Sequence, residues 1–146
     1  MTKVLILNGP NLNLLGRREP DIYGSTTLDQ LNEHLAQSAP EAMTLDFFQS
    51  NHEGEMVERI QSLMDQPIDG IVMNPAAWTH TSVAIRDAIA AIDTPLVEVH
   101  ISNVHRREPF RHQSYFSDLA IAVIAGCGLK GYEFALQTLH HHLKDQ

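Results

Sequence analysis

Residues 3–24 read Lys3-Val-Leu-Ile-Leu-Asn8, then Gly9-Pro-Asn-Leu-Asn-Leu-Leu-Gly16, then Arg17-Arg-Glu-Pro-Asp-Ile-Tyr-Gly24, and this stretch decides how the fold is predicted. The apolar run predicts a first strand. The next helical pattern begins only near Thr27, whereas compact domains usually join a strand to a helix in about 2–6 residues. Such a long connection is typical of a functional loop, and a solvated surface loop is the simpler alternative.

Length and composition predict a single domain covering residues 1–146, with 43% hydrophobic residues to build its core. The net charge of −8, from 10 basic and 18 acidic side chains, argues against nucleic acid or an anionic membrane as the main partner. The single cysteine excludes an internal disulfide and favours a reducing compartment. The N-terminal apolar run is too short for a signal peptide, and no stretch approaches the ~20 apolar residues of a membrane span. We therefore expect a soluble, cytoplasmic protein.

Four further apolar segments alternate with helical patterns. The predicted strands are Met43–Gln49, Gly70–Asn74, Leu96–His100 and Leu119–Ala125. The predicted helices begin at a capping box of Thr27 and Gln30, at a second box of Ser50 and Glu53, near Thr79 and at Tyr132. This alternation predicts an α/β fold, a doubly wound five-stranded parallel sheet of order 2-1-3-4-5 with helices on both faces.

In such a sheet, ligands bind beyond the carboxyl ends of the strands, where strands 1 and 3 diverge. Glu98 and His100 lie two residues apart and so face the same side of the fourth strand. A carboxylate beside an imidazole favours its protonated form, which suits a general acid, and a structural histidine is the plainer alternative. Arg106, Arg107 and Arg111 follow in the next loop, where they are either ligand-binding groups or a solvated charge run.

Three other patterns carry less weight. The turn Gly126-Cys-Gly-Leu-Lys-Gly131 matches a dinucleotide-binding fingerprint, but too little chain follows it to supply the next strand, so a tight turn is the better interpretation. Cys127, within that turn, has no neighbouring base and is expected to be a small buried thiol rather than a nucleophile. The run His140-His-His142 cannot face one way on a helix, so we predict no metal site.

Several stretches combine into one resemblance: Gly9–Gly16, Arg17–Gly24, Asn74-Pro-Ala-Ala-Trp-Thr-His80, Glu98-Val-His-Ile-Ser-Asn103 and Arg107-Glu-Pro-Phe-Arg111. In order and spacing they resemble the signatures of type II 3-dehydroquinate dehydratase. The resemblance implies a flavodoxin-like fold and elimination of water from 3-dehydroquinate, through an enolate, to give 3-dehydroshikimate in the shikimate pathway. It also implies no cofactor, no metal and a homo-oligomer, a dodecamer built of trimers.

The resemblance also implies roles for individual residues. Tyr23 matches the base, acting as a tyrosinate whose anion Arg18 favours, and His100, oriented by Glu98, matches the general acid. Asn11 matches the residue that holds a water against the enolate oxygen. The implied substrate-binding residues are Asn74, His80, Ile101, Ser102, Arg111 and, from a neighbouring subunit, Asp87. Arg17 and Arg107 are further electrostatic candidates.

The loop at about residues 16–24 is expected to be a mobile lid, because Gly16 and Gly24 bound the part that carries Tyr23 and Arg18. The alternative from another class is a non-catalytic flavodoxin-like module that binds a nucleotide, a flavin or a phosphoryl group. Such a module would need a phosphate-cradling glycine loop or an acidic cluster after the first strand, where the sequence has Asn8-Gly-Pro-Asn11.

Overall fold

A computed structural model describes residues 1–145. One sheet is built from strands β1 (Thr2–Asn8), β2 (Met43–Gln49), β3 (Gly70–Asn74), β4 (Leu96–His100) and β5 (Ala122–Ala125). Its order is β2-β1-β3-β4-β5 and every neighbouring pair is parallel. The predicted α/β class and strand order are therefore confirmed.

Within residues 1–145, five α-helices accompany the sheet: α1 (Pro20–Tyr23), α2 (Leu28–Ser38), α3 (Glu53–Gln61), α4 (Val83–Ala90) and α5 (Lys130–Lys144). Successive side chains of β1 point to opposite faces, so Val4 and Ile6 join the core beneath α2 and α5, whereas Leu5 and Leu7 join the core beneath α3 and α4. Burial on both faces explains why the central strands β1, β3 and β4 read as largely continuous apolar runs.

The capping box predicted at α2 is present. The Thr27 hydroxyl accepts a hydrogen bond from the Gln30 backbone N–H at 3.2 Å, and the Gln30 side chain accepts one from the Thr27 N–H at 3.0 Å. The second predicted box is wrong. The Ser50 hydroxyl donates to the Glu55 carboxylate at 2.5 Å instead of capping α3, which begins after His52 without a side-chain cap.

Other boundaries also differ from the prediction, and α5 begins at Lys130 rather than Tyr132. Residues Ala76–His80 form a 3₁₀ turn, and α4 begins only after Ser82, whose hydroxyl accepts from the Ile85 N–H at 3.0 Å. Thr79, near which the helix was predicted to begin, is therefore not the N-cap. The last strand starts at Ala122 rather than Leu119, because the chain first makes a turn in which Leu119 N–H bonds to the Phe116 carbonyl at 2.9 Å.

The sheet brings the polar loops together at one edge. β1 ends against the turn after β3, where a methyl group added to Gly9 would lie 2.4 Å from the Pro75 carbonyl oxygen. Glycine is needed at this close approach between the two chain segments. Within residues 1–145, no helix is both long and apolar enough to cross a membrane.

Candidate active site

A cleft of about 270 Å³ lies at the carboxyl ends of β1, β3 and β4. Ten of the residues predicted for a site line it: Asn11, Arg18, Tyr23, Asn74, His80, His100, Ile101, Ser102, Arg107 and Arg111. Glu98 lies behind His100 and is completely buried. Arg17 and Asp87 are exposed and do not line this cleft. The structure thus brings most of the predicted residues together.

The Glu98–His100 pair is held at the end of β4. His100 Nε2 lies 2.5 Å from Glu98 Oε2, and the side chains of Ser114 and Ser117 donate to the two carboxylate oxygens at 2.8 and 2.7 Å. Burial by itself raises the pKa of Glu98, but the hydrogen bond and charge of His100, together with the two serines, outweigh it and leave that pKa below its usual value. Glu98 is therefore a carboxylate despite its burial.

Ser114 and Ser117 are functional candidates that the sequence analysis missed. They lie in a polar segment after the arginine-rich loop, where serine spacing by itself carries no signal of a carboxylate partner. The same segment supports His80, because the Gln113 backbone carbonyl lies 2.7 Å from His80 Nδ1. The segment from Gln113 to Ser117 therefore contacts His80 directly and His100 through Glu98.

His80 is neutral in this setting. Burial lowers the pKa of its imidazole and is the largest effect, and the Gln113 hydrogen bond opposes it. Electrostatic effects of His100 and Arg111 lower the pKa further, and Glu98 opposes them weakly. Because a carbonyl oxygen can only accept, Nδ1 carries the hydrogen and Nε2 is left as an acceptor. The arrangement suits recognition of a hydroxyl group.

The phenol of Tyr23 is hydrogen-bonded to an arginine. Arg107 Nη1 donates to Tyr23 Oη at 2.9 Å, and its guanidinium carbon lies 6.0 Å from the centroid of the tyrosine ring. Arg18 lines the cleft but pairs with Glu19 at 3.8 Å. The cation in contact with the phenol is thus Arg107, which the sequence analysis ranked below Arg18.

The loop that carries Tyr23 and Arg18 has glycines in the left-handed region at both ends. Gly16 has φ +85° and Gly24 has φ +78°, conformations that favour glycine. A methyl group on Gly16 would lie 2.7 Å from the Ser25 carbonyl oxygen, so the start of the loop packs against the residue that follows its end. Between them, α1 presents Tyr23 to the cleft.

Beneath the cleft, a buried phenol orients an amide. Tyr132 Oη donates to Asn8 Oδ1 at 2.6 Å and accepts from Asn74 Nδ2 at 3.0 Å, while Asn74 Oδ1 accepts from the Ala76 N–H at 3.1 Å. Burial raises the pKa of the Tyr132 phenol far above its usual value, so it stays protonated. Tyr132 therefore supports Asn8 and Asn74 from within the core, whereas Tyr23 lines the cleft.

Asn11 is held by Asn51, which follows the end of β2. Its backbone N–H donates to Asn51 Oδ1 at 2.9 Å, and the Gln49 side chain, at 3.1 Å from the same oxygen, also reaches the Gly9 carbonyl. These bonds hold Asn11 at φ +70°, a left-handed conformation that asparagine tolerates better than most residues. The bend directs the chain from β1 over the cleft.

The remaining motifs lie away from the cleft. The turn between β5 and α5 carries Gly126 and Gly128 at φ +86° and +63°, and Cys127 between them is exposed, so the expectation of a buried thiol is wrong. His141 pairs with Asp145 at 3.3 Å near the end of α5. Among residues 1–145, no three or more His, Cys, Asp or Glu side chains are grouped to hold a metal ion.

The flavodoxin-like sheet and its cleft of acid–base side chains define an α/β enzyme of the doubly wound class. The chain belongs to the family described as dehydroquinase class II, which matches residues 2–140. It is 55% identical to 3-dehydroquinate dehydratase 1 of Pseudomonas aeruginosa over 145 residues, 99% of each chain. It is also 56% identical to 3-dehydroquinate dehydratase of Nitrosomonas eutropha over 138 residues, 94% of this chain and 95% of the other.

Solved structures show the same likeness. The crystal structure of type II dehydroquinase from Propionibacterium acnes superposes with a TM-score of 0.91 at 45% identity, covering 97% of both chains. That of type II dehydroquinase from Butyrivibrio crossotus gives a TM-score of 0.88 at 44% identity, covering 95% of this chain and 97% of the other. The predicted family and flavodoxin-like fold are confirmed.

Proposed function

We propose that this protein is a hydro-lyase that converts 3-dehydroquinate to 3-dehydroshikimate, a step of the shikimate pathway of aromatic amino-acid and chorismate biosynthesis. Family membership over residues 2–140 supports this activity. The observation that carries the mechanism is that a Tyr23–Arg107 pair and a buried Glu98–His100 pair meet at one cleft. One pair supplies a base and the other an acid.

Tyr23 is the base. A free phenol ionises near pH ~10, so a neighbouring positive charge is needed for it to act near neutrality. The Arg107 hydrogen bond at 2.9 Å stabilises the phenolate, and Arg18 adds positive charge from the lid side of the cleft. The phenolate takes the proton α to the substrate ketone, and the C–H electron pair forms the enolate.

The enolate then expels the hydroxyl group. Asn11 holds a water against the enolate oxygen, and donors of this kind typically contribute about 3–4 kcal/mol to transition-state stabilisation. His100 gives a proton to the departing hydroxyl as the C–O bond breaks, so the products are the conjugated ketone and water. Tyr23 and His100 return to their starting forms by proton exchange with solvent. Neither a metal nor an organic cofactor takes part.

Substrate recognition falls to the rest of the cleft. The backbone N–H groups of Ile101 and Ser102, where β4 ends, bind the carboxylate. The ring hydroxyls contact Asn74, His80 and Arg111, a set in which neutral His80 accepts and Arg111 donates. A cleft of about 270 Å³ suits a single-ring acid.

The proposal extends to assembly and movement. Asp87 is exposed on α4 and absent from its own cleft, so a contribution from this carboxylate would have to reach the site of a neighbouring subunit. A homo-oligomer of trimers packed as a dodecamer provides that neighbour. The loop at about 16–24 closes over substrate about its two glycines, and the enzyme acts in the cytoplasm. Arg17 contributes to the electrostatic field at this loop.

The product is a conjugated enone, so mixing the protein with 3-dehydroquinate should give a rising near-ultraviolet absorbance. Tyr23→Phe should abolish this rise while retaining substrate binding by calorimetry, because only the phenol oxygen is removed. Tyr115→Phe is the matched control, since Tyr115 is exposed and does not line the cleft. A flat trace from the folded, assembled wild-type protein would refute the activity, and unimpaired Tyr23→Phe would refute the base.

A further inference from the structure

The Glu98 carboxylate is enclosed by three hydrogen-bonding side chains. Its Oε2 atom contacts both His100 Nε2 at 2.5 Å and Ser114 Oγ at 2.8 Å, and its Oε1 atom contacts Ser117 Oγ at 2.7 Å. Within residues 1–145, these three are the hydrogen-bond partners of the carboxylate, whose side chain is fully buried. The surrounding protein therefore decides where the proton of the Glu98–His100 pair resides.

The direction of the Ser114 hydroxyl is fixed by its other contacts. The backbone N–H groups of Phe116 and Ser117 donate to Ser114 Oγ at 3.0 and 3.2 Å. A hydroxyl oxygen has two acceptor positions, so both are occupied and its hydrogen is left to point at Glu98. A proton on Glu98 Oε2 would be repelled by the Ser114 hydroxyl hydrogen that already points at this oxygen. Oε2 is thereby reserved for accepting hydrogen bonds.

A buried acid–imidazole pair with one proton has two arrangements. One is a carboxylate beside an imidazolium, and the other is a carboxylic acid beside a neutral imidazole. Burial favours the neutral arrangement, because unsolvated charges cost more than neutral groups. His80, Arg18, Arg107 and Arg111 line the same cleft as His100, and the positive charge of the three arginines further disfavours an imidazolium. Tyr23 also lines the cleft, and its negative charge would favour the imidazolium only when the phenol is ionised.

We propose that Ser114 and Ser117 are positioning residues that, through Glu98, keep the proton of the pair on His100. The inference rests on the proposed function, in which His100 is the general acid. An imidazolium is a far stronger proton donor than a neutral imidazole. Because Nε2 is engaged with Glu98, the proton delivered to the departing hydroxyl comes from Nδ1: the Nδ1–H bond breaks, an O–H bond of water forms, and Nε2–H stays on the ring.

The test compares Ser114→Ala, Ser117→Ala and the double variant with the wild type, without substrate. Nitrogen-15 spectra of labelled histidine report imidazolium or neutral imidazole, and the infrared carbonyl band of labelled glutamate reports a protonated carboxyl group. At a pH where the wild type shows an imidazolium and a carboxylate, the variants should gain the neutral-pair signals. Ser38→Ala is the matched control, since its hydroxyl only contacts the His34 carbonyl on the surface.

Kinetics supply a second readout. Each serine hydroxyl stabilises the charged Glu98 carboxylate and thereby the His100 imidazolium. Because hydrogen bonds to charged groups are strong, each alanine variant should lose about tenfold to hundredfold in kcat. KM should stay within about twofold, because neither serine lines the cleft. Ser114→Thr keeps a hydroxyl and should restore most of the kcat. Ser117→Ala keeps the test decisive if Ser114→Ala fails to fold, since the Ser117 hydroxyl holds no turn N–H.

Two outcomes would overturn the proposal. In the first, the double variant keeps the imidazolium and carboxylate signals and an undiminished kcat. In the second, kcat falls and KM rises together with unchanged spectra, which marks the serines as scaffolding for the loop that also holds His80. If the spectra change as expected but the wild type does not dehydrate 3-dehydroquinate, the proton placement is supported and the proposed function fails.

Discussion

Replacing Arg107 tests the structure most directly, because it is the arginine that touches the proposed base. Arg107→Gln removes a guanidinium that donates to Tyr23 Oη at 2.9 Å. Hydrogen bonds to charged groups contribute about 1.5–3 kcal/mol, so the phenolate should be disfavoured by roughly tenfold to 150-fold. We expect kcat to fall by that factor at neutral pH and part of the loss to be recovered at higher pH, where the phenol ionises without help.

The assay is the absorbance change on dehydration, measured as a kcat–pH profile for three variants. Arg18→Gln should move the profile less than Arg107→Gln, since Arg18 lines the cleft without a hydrogen bond to the phenol. Arg59→Gln is the matched control on α3, where its guanidinium lies over Phe48. An Arg107→Gln profile that superposes on the wild type, or a larger shift for Arg18→Gln, would refute the assignment of Arg107.

Three further predictions concern stability and binding. Tyr132→Phe leaves the amides of Asn8 and Asn74 short of a buried partner, so urea unfolding should show a loss of about 1–3 kcal/mol, and KM should rise; an unchanged KM would mean that Asn74 is oriented without the phenol. Gly9→Ala places a methyl group 2.4 Å from a backbone oxygen and should cost about 1–3 kcal/mol or more, visible as a lower Tm; an unaltered Tm would contradict the close approach. For His80, the folded pKa lies below the unfolded value, so the unfolded state binds the extra proton and stability falls as pH drops below the unfolded pKa of about 6.5. His80→Gln should therefore lose less stability than the wild type between neutral and mildly acidic pH, and equal losses would contradict a neutral His80.

The sequence predicted the sheet well because its central strands β1, β3 and β4 are largely buried on both faces. The bounds of β2, β3 and β4 match the predicted ones: β3 and β4 are short, mainly apolar runs between turn residues, and β2 alternates apolar and polar residues from Met43 to Phe47. Local sequence patterns gave wrong helix caps and strand ends where contacts with other parts of the chain determine the structure. The hydroxyl of Ser50 has the residue type and spacing of a cap, yet it donates to Glu55, and β5 is shortened by a turn at Phe116.

The part of the candidate site that lies at the end of one strand was predictable from the sequence. His100 and Glu98 are two residues apart on one strand, so their meeting is a matter of local geometry. The partners of Tyr23 and Glu98 were not predictable in this way. Arg107 is far along the chain from Tyr23, and Ser114 and Ser117 reach the carboxylate only because a loop folds back behind β4. Such contacts depend on loop paths, which periodicity does not encode.

The three arginines that line the cleft lie on a protein of net charge −8. Most of the surface therefore repels an anion, while the cleft attracts one, and low-dielectric walls concentrate that attraction at the opening. Such a field acts on the rate of encounter rather than on the chemistry that follows. Added salt should slow capture of an anionic substrate, by weakening attraction that extends over a Debye length of about 10 Å at 0.1 M, and leave turnover at saturation nearly constant.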